Sequence, residues 1–138
     1  EIFMMPVYHR LPSKRKIHHM NARQRKKFHL GEFQALNFGV VGQLLSDYCT
    51  PEYIDSFFDE VIAFVEAHSF CLYGGGGQDF SFNFEHAQRP SNITAQQRQM
   101  IIDWFVARPD VLHLRAGDLI DGFYADAAAF EHYPHIYK

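Results

Sequence analysis

Hydrophobic positions along the chain fall into a few periodic stretches separated by turn residues. Phe38 to Leu45 reads as a first strand, with Phe38, Val40 and Leu44 on one face. A long helix follows. Thr50 can cap it, Pro51 suits its first position, and Glu52 and Asp55 suit the positive end of the helix dipole. Ile54, Phe57, Phe58, Val61 and Val65 recur at helical spacing as a buried stripe, with Glu52, Asp55, Asp59 and Glu66 on the other side. Ser69 to Tyr73 is a second strand, and Gly74 to Gly77 reads as a hairpin tip. In Asp79 to His86, Phe80, Phe82 and Phe84 alternate with Ser81, Asn83 and Glu85, the period of a half-buried strand. Arg89-Pro90-Ser91-Asn92 is a turn cluster. Thr94 opens a second long helix, Gln97 completes a capping box, and Pro109 stops it. Met100, Ile101, Trp104 and Phe105 form its apolar stripe.

Val111 to Arg115 is a further strand, and Leu119 to Tyr124 extends it or turns back at Asp121-Gly122. The order strand, helix, strand, strand, helix, strand predicts an α+β fold of ferredoxin-like βαββαβ order. Its sheet is mainly antiparallel, with the helices on one face. Residues 28–126 form that single domain, and residues 127–138 are expected to be a loosely attached tail. At the start of the domain, Phe28, Leu30, Phe33 and Leu36 predict a docking segment or short helix, ended at Asn37, a residue that tolerates the left-handed conformation.

Charge divides the chain in two. The net charge of −3 averages a basic N-terminus and an acidic remainder. Residues 1–29 hold eight of the 13 basic side chains and one acid; residues 30–138 hold five basic residues and 15 acids. Residues 1–27 therefore read as a basic arm. Its first 19 residues show no period, and they are expected to be a mobile, non-native leader, with Met20 as the natural start. No apolar run is long enough for a membrane helix or a secretory signal, so a cytoplasmic protein with no membrane partner is expected. Cys49 and Cys71 are then expected as reduced thiols, although one disulfide between them is conceivable.

Catalysis finds no support in the residue pattern. His132 and His135, His18 and His19, and His113 read as ordinary surface or packed histidines, and no metal-ligand motif is present. The glycine run lacks the Lys-Ser/Thr of a phosphate loop. Asp59 and Glu60, adjacent on a helix, point roughly 100° apart rather than converging. No cofactor, metal or small-molecule substrate is expected, and the chain reads as a monomer. The Phe80, Phe82, Phe84 stripe could stack unpaired bases on an open sheet face. That arrangement would bury Asp79, Ser81, Asn83 and Glu85, so the core is the favoured place for the rings.

The strongest functional feature is Arg23, Arg25, Lys26 and Lys27, four cations in five residues. Such a cluster suits phosphates, with affinity that falls steeply with salt. A solubilising tail, or an arm neutralised by the chain's own acids, is the bland alternative, and no apolar face accompanies the cluster to suit a membrane surface. The stretch Arg23-Gln-Arg-Lys-Lys-Phe-His-Leu-Gly-Glu-Phe-Gln-Ala-Leu-Asn-Phe38 resembles the opening of the YggL family, small bacterial proteins associated with the large ribosomal subunit. The resemblance runs over residues 20–126, more weakly through the glycine hairpin, Ile93-Thr94 to Trp104, and Leu119-Ile120-Asp121. Asn37 stands where glycine is common in that family. The resemblance implies a non-enzymatic factor that binds the 50S particle. The charge pattern independently nominates Arg23, Arg25, Lys26 and Lys27 as the contacts to ribosomal RNA.

Overall fold

A computed structural model describes residues 12–31, 34–88, 91–122, 124, 129 and 131–138. Two short helices come first, α1 (Lys14–His19) and α2 (Ala22–Phe28). Strand β1 (Leu36–Leu44) leads through a 3-10 turn at Ser46–Tyr48 into α3 (Pro51–Ala67). The hairpin β2 (Phe70–Gly76) and β3 (Asp79–His86) follows, then α4 (Ala95–Val106) and β4 (Val111–Ala116). Two short strands, β5 (Ile120–Asp121) and β6 (His135–Ile136), complete the chain. The fold is α+β, with antiparallel strands in the order β2-β3-β1-β4-β6 and β5 beside the start of β1. From β1 to β4 the elements follow the expected series; α1, α2, β5 and β6 are additions to it.

The long elements form where their caps and periods place them. Thr50 accepts a hydrogen bond from the Tyr53 amide at 3.2 Å, and Pro51 occupies the first turn of α3. The Thr94–Gln97 capping box opens α4. Phe80, Phe82 and Phe84 are 2%, 4% and 0% exposed, and they face the helices. Phe105 of α4 lies 5.7–6.2 Å from all three ring centroids, and Phe57 of α3 lies 5.2 Å from Phe80. Trp104 stacks on Phe64 at 4.9 Å and joins the two helices. The core therefore lies between one sheet face and the α3–α4 pair. Phe80 crosses β1 at Gly42, where a Cβ would sit 2.4 Å from its ring, so only glycine leaves it room.

Several expectations need correction. Asn37 does not end a helix. It lies inside β1, opposite Glu85 on one side and Ile120 on the other. The left-handed residue that ends a helix is His29, at φ 54° and ψ 49° after α2. The hairpin tip is Gly77-Gln78, because Gly74, Gly75 and Gly76 are ladder residues of β2. Within the expected Leu119–Tyr124 extension or hairpin, β5 (Ile120–Asp121) pairs with β1 instead, and Phe123 lies outside the described residues. Residues 14–19, expected without regular structure, form α1, capped by Ser13.

The tail is likewise tied down at its end. β6 pairs with β4, the Tyr137 amide donates to Leu114 O at 2.9 Å, and Lys138 Nζ donates to the carbonyls of Val106 and Arg108. Residues 1–11, Phe33, and the Arg89-Pro90 half of the turn cluster lie outside the described residues.

Candidate nucleic-acid interface

Among the described residues no group of three or more His, Cys, Asp or Glu could hold a metal. His135 pairs with Asp118 at 2.7 Å, His113 is exposed on β4, and His18 and His19 touch edge to face on α1. Asp59 is exposed, and Glu60 is taken up by Arg108 at 3.2 Å. Cys49 and Cys71 are free thiols.

The strongest perturbation of titrating groups lies in a cluster without a sequence signature. Arg108 donates from Nε and Nη2 to the two carboxylate oxygens of Asp110, at 3.0 and 2.8 Å. Its guanidinium also lies 5.0 Å from the Phe57 and Trp104 ring centroids. The Tyr53 hydroxyl donates to Asp110 at 2.6 Å. That bond to a carboxylate, with burial behind it, pushes the phenol up to about 12. Burial alone would raise Asp110; hydrogen bonds from Arg108 and Tyr53 outweigh it and hold the carboxyl below its ordinary value. Arg108 is held protonated, because its bonds to Asp110 and Glu60 outweigh its own burial. Asp110 is 2% exposed, so the Arg108–Asp110 pair is spent inside the protein. It fixes the first turn of α3 against the loop that enters β4.

The basic segment does face outward, in part. Asn21 and Gln24 form a capping box at the start of α2. On a helix, Arg23, Lys26 and Lys27 fall within an arc of about 100°, and all three are exposed. Arg25 lies on the opposite side. It is half-buried, and its Nη1 donates to the Met20 carbonyl. The four nominated cations are therefore three surface groups and one inward group.

This helix is not a detached arm. Leu30, just beyond it, is fully buried, and the Leu30 amide donates to Arg25 O at 2.9 Å. Further along the chain, the Tyr124 hydroxyl donates to the Phe28 carbonyl. Residues 12–31 contain no acid, and Lys14, Arg15 and Lys16 of α1 are exposed beside α2's three. Glu52, Asp55, Asp59 and Glu66 line the exposed side of α3.

Residues 22–124 match the family described as YggL 50S ribosome-binding protein. The chain belongs to this family. No curated protein and no solved structure matches it. The YggL stretch begins at the first residue of α2 and ends at Tyr124, whose hydroxyl bonds the last residue of that helix, Phe28. Helix α1 and strand β6 lie outside the stretch. The family description names binding to the 50S particle and no reaction. Among the described residues, no helix is long and apolar enough to cross a membrane.

Proposed function

We propose that this chain is a non-enzymatic factor of the bacterial cytoplasm that binds the large ribosomal subunit as a monomer, with α2 laid against ribosomal RNA. The observation that carries this reading is the placement of Arg23, Lys26 and Lys27 on one exposed face of a helix anchored to the domain. Anchoring matters because a fixed helix meets a phosphate backbone without the ordering cost of a free arm. Arginine supplies bidentate phosphate contacts, and lysine supplies point charge. The acidic face of α3 turns to solvent or to basic ribosomal protein, and it limits unspecific adhesion to RNA. Three phosphate contacts give a slope of log K against log salt of about −2 to −3, at 0.7–0.9 per contact.

Co-sedimentation with purified 50S particles over a salt series tests this. The triple variant Arg23→Ala, Lys26→Ala, Lys27→Ala should bind weakly, with a flatter slope. Undiminished binding would remove α2 from the contact. The alternative, a single-stranded RNA module that stacks bases on Phe80, Phe82 and Phe84, draws no support from the burial of those rings under α3 and α4.

A further inference from the structure

Strand β2 is an edge of the sheet, and among the described residues it pairs only with β3. The Ala87 amide donates to the Ser69 carbonyl at 2.8 Å, which makes these two a hydrogen-bonded pair at the start of the ladder. Antiparallel pairs alternate, so Cys71 and Tyr73 also turn their backbone groups to β3. Phe70 and Leu72 then turn theirs outward. Natural edge strands are blunted by a charge, a proline or a bulge, which discourage a further strand. Phe70-Cys71-Leu72-Tyr73 has no charge and no proline, and its register with β3 is unbroken. Only beyond it do Gly74 and Gly76, at φ +122° and +130°, leave ordinary strand geometry. Helix α3 packs over this strand. Tyr53, Glu60 and Phe64 look from one flank of the helix toward Asp110, Arg108 and Trp104. Asp55, Phe58 and Ile62 fall on the opposite flank, on the side of the free edge. Ile62 is exposed, and Phe58 and Leu72 are half-buried, so the edge has an apolar border. Asp55, Asp59 and Glu66 stand on the solvent side of that border, exposed and in no ion pair among the described residues.

We propose that the β2 edge takes up an extended basic segment of a ribosomal protein as a further strand. The inference rests on the reading of this chain as a 50S-binding factor, and it gives the acidic side of the domain a contact of its own. Backbone hydrogen bonds to Phe70 and Leu72 hold the added strand. Residues opposite these two share their face of the sheet, so alternate side chains of the segment point to α3. Lysine or arginine suits those positions. Its aliphatic stem covers Ile62, Phe58 and Leu72, and its charged head meets Asp55, Asp59 or Glu66. The charges argue against other occupants. RNA phosphates are repelled by three carboxylates, and a second copy paired edge to edge would set both acidic flanks against each other.

The test is fluorescence anisotropy of the full chain with a short labelled peptide of alternating lysine and threonine. Its control is the same peptide N-methylated on the backbone of each lysine, equal in charge but unable to donate to the edge. The parent peptide should bind, and the control should bind about tenfold more weakly or worse. Asp55→Asn, Asp59→Asn, Glu66→Gln should weaken the parent peptide about tenfold, three exposed pairs together. All three side chains are exposed, so the variant should stay folded, as circular dichroism checks. Equal binding of the two peptides would leave charge alone and overturn strand addition. Undiminished binding by the acid variant would remove α3 from the contact. Co-sedimentation then separates this proposal from the reading beneath it. The acid variant should bind 50S particles more weakly, whereas Arg23→Ala, Lys26→Ala, Lys27→Ala should keep full peptide affinity. If the acid variant loses the peptide but sediments with 50S undiminished, the edge is not a ribosomal contact and the α2 assignment stands. If the unmodified chain binds the peptide but does not sediment with 50S, the ribosomal reading falls. A dimer in sedimentation velocity that Ile62→Asp disperses would assign the edge to a second copy and overturn the basic partner.

Discussion

The Tyr53 hydroxyl donates to the Asp110 carboxylate at 2.6 Å and so ties the first turn of α3 to the loop that enters β4. Asp110 also receives both bonds of the Arg108 fork, and it is almost fully buried. Removing it leaves that guanidinium, packed on Phe57 and Trp104, with the half-exposed Glu60 in place of a buried partner. Asp110→Ala should therefore cost about 3–5 kcal/mol, the range for breaking a buried pair. Tyr53→Phe, which leaves the ion pair intact, should cost about 1 kcal/mol. Urea unfolding of the two variants checks both values, and equal losses would refute the division of roles.

The same bridge sets a pH window. Asp110 titrates lower in the folded protein than its ordinary 3.8, so its contribution is fully present above that value. It is lost as pH falls through the folded value. Tyr53 is raised from 10.0 to about 12, so its contribution is present below pH 10 and lost as pH rises through about 12. The stability gap between the unmodified chain and Asp110→Asn should hold from mid-range pH down to about 4 and shrink below it. Phenolate absorbance should show a late-titrating contribution that Tyr53→Phe removes. A gap that is constant through the acid range would mean that Asp110 is not the group responsible.

What was legible in the sequence was what recurs over many residues. Thr50-Pro51 with the Ile54 to Val65 stripe, the Thr94–Gln97 box, and the Phe80, Phe82, Phe84 alternation each gather several weak signals into one, and each element lies where it was placed. Short elements offer no such sum. Helix α1 has six residues and a single apolar side chain, Ile17, too few to show a period. Strand β6 is two residues held by backbone bonds to β4, which side-chain pattern does not report. At Asn37, tolerance of a left-handed turn is a local property, whereas pairing on both sides of β1 is a property of the whole sheet, which local pattern does not report. For the site, position in sequence found the cation cluster, but counting charges alone merged Arg25 with neighbours that face the other way. Helical angle separates them once α2 is recognised as a helix.

Phe82 separates the two readings of the aromatic stripe. Its ring lies 5.6 Å from Phe58 and 6.2 Å from Phe105, inside the core. Phe82→Ala should cost about 3–5 kcal/mol of stability. Tyr73→Ala, at a ring 58% exposed on the opposite sheet face, should leave the fold within about 0.5 kcal/mol apart from its hydrogen bond to Glu85. Thermal unfolding of both variants decides. A folded Phe82→Ala protein with selectively weakened RNA binding would reinstate the stacking surface.

The glycine run makes a sharper contrast between neighbours. Gly74 has φ +122°, and a Cβ there would sit 2.1 Å from the Ser81 carbonyl oxygen. Gly75 has nothing within 4 Å of that position. Gly74→Ala should destabilise by about 1–3 kcal/mol or more, because strain and a backbone collision act together on the β2–β3 ladder. Gly75→Ala should be neutral, or stabilise by about 0.4–1 kcal/mol through the unfolded chain. Calorimetric midpoints that fail to separate the two would show that β2 does not hold this register.

Arg23 and Arg25, two residues apart, should respond differently to the same substitution. Arg23 is exposed on the outer face, so Arg23→Ala should flatten the salt dependence of 50S binding by about 0.7–0.9 and leave amide exchange unchanged. Arg25 holds α1 to α2 through the Met20 carbonyl. Arg25→Ala should accelerate amide exchange over residues 14–20, because it removes the tie rather than a surface charge. Arg25→Lys keeps the charge but loses the planar fork, so it should restore the protection only in part. Hydrogen exchange read by mass spectrometry distinguishes these outcomes. If Arg25→Ala flattens the salt slope as Arg23→Ala does and leaves exchange over residues 14–20 unchanged, Arg25 faces the RNA and the division of the cluster is wrong.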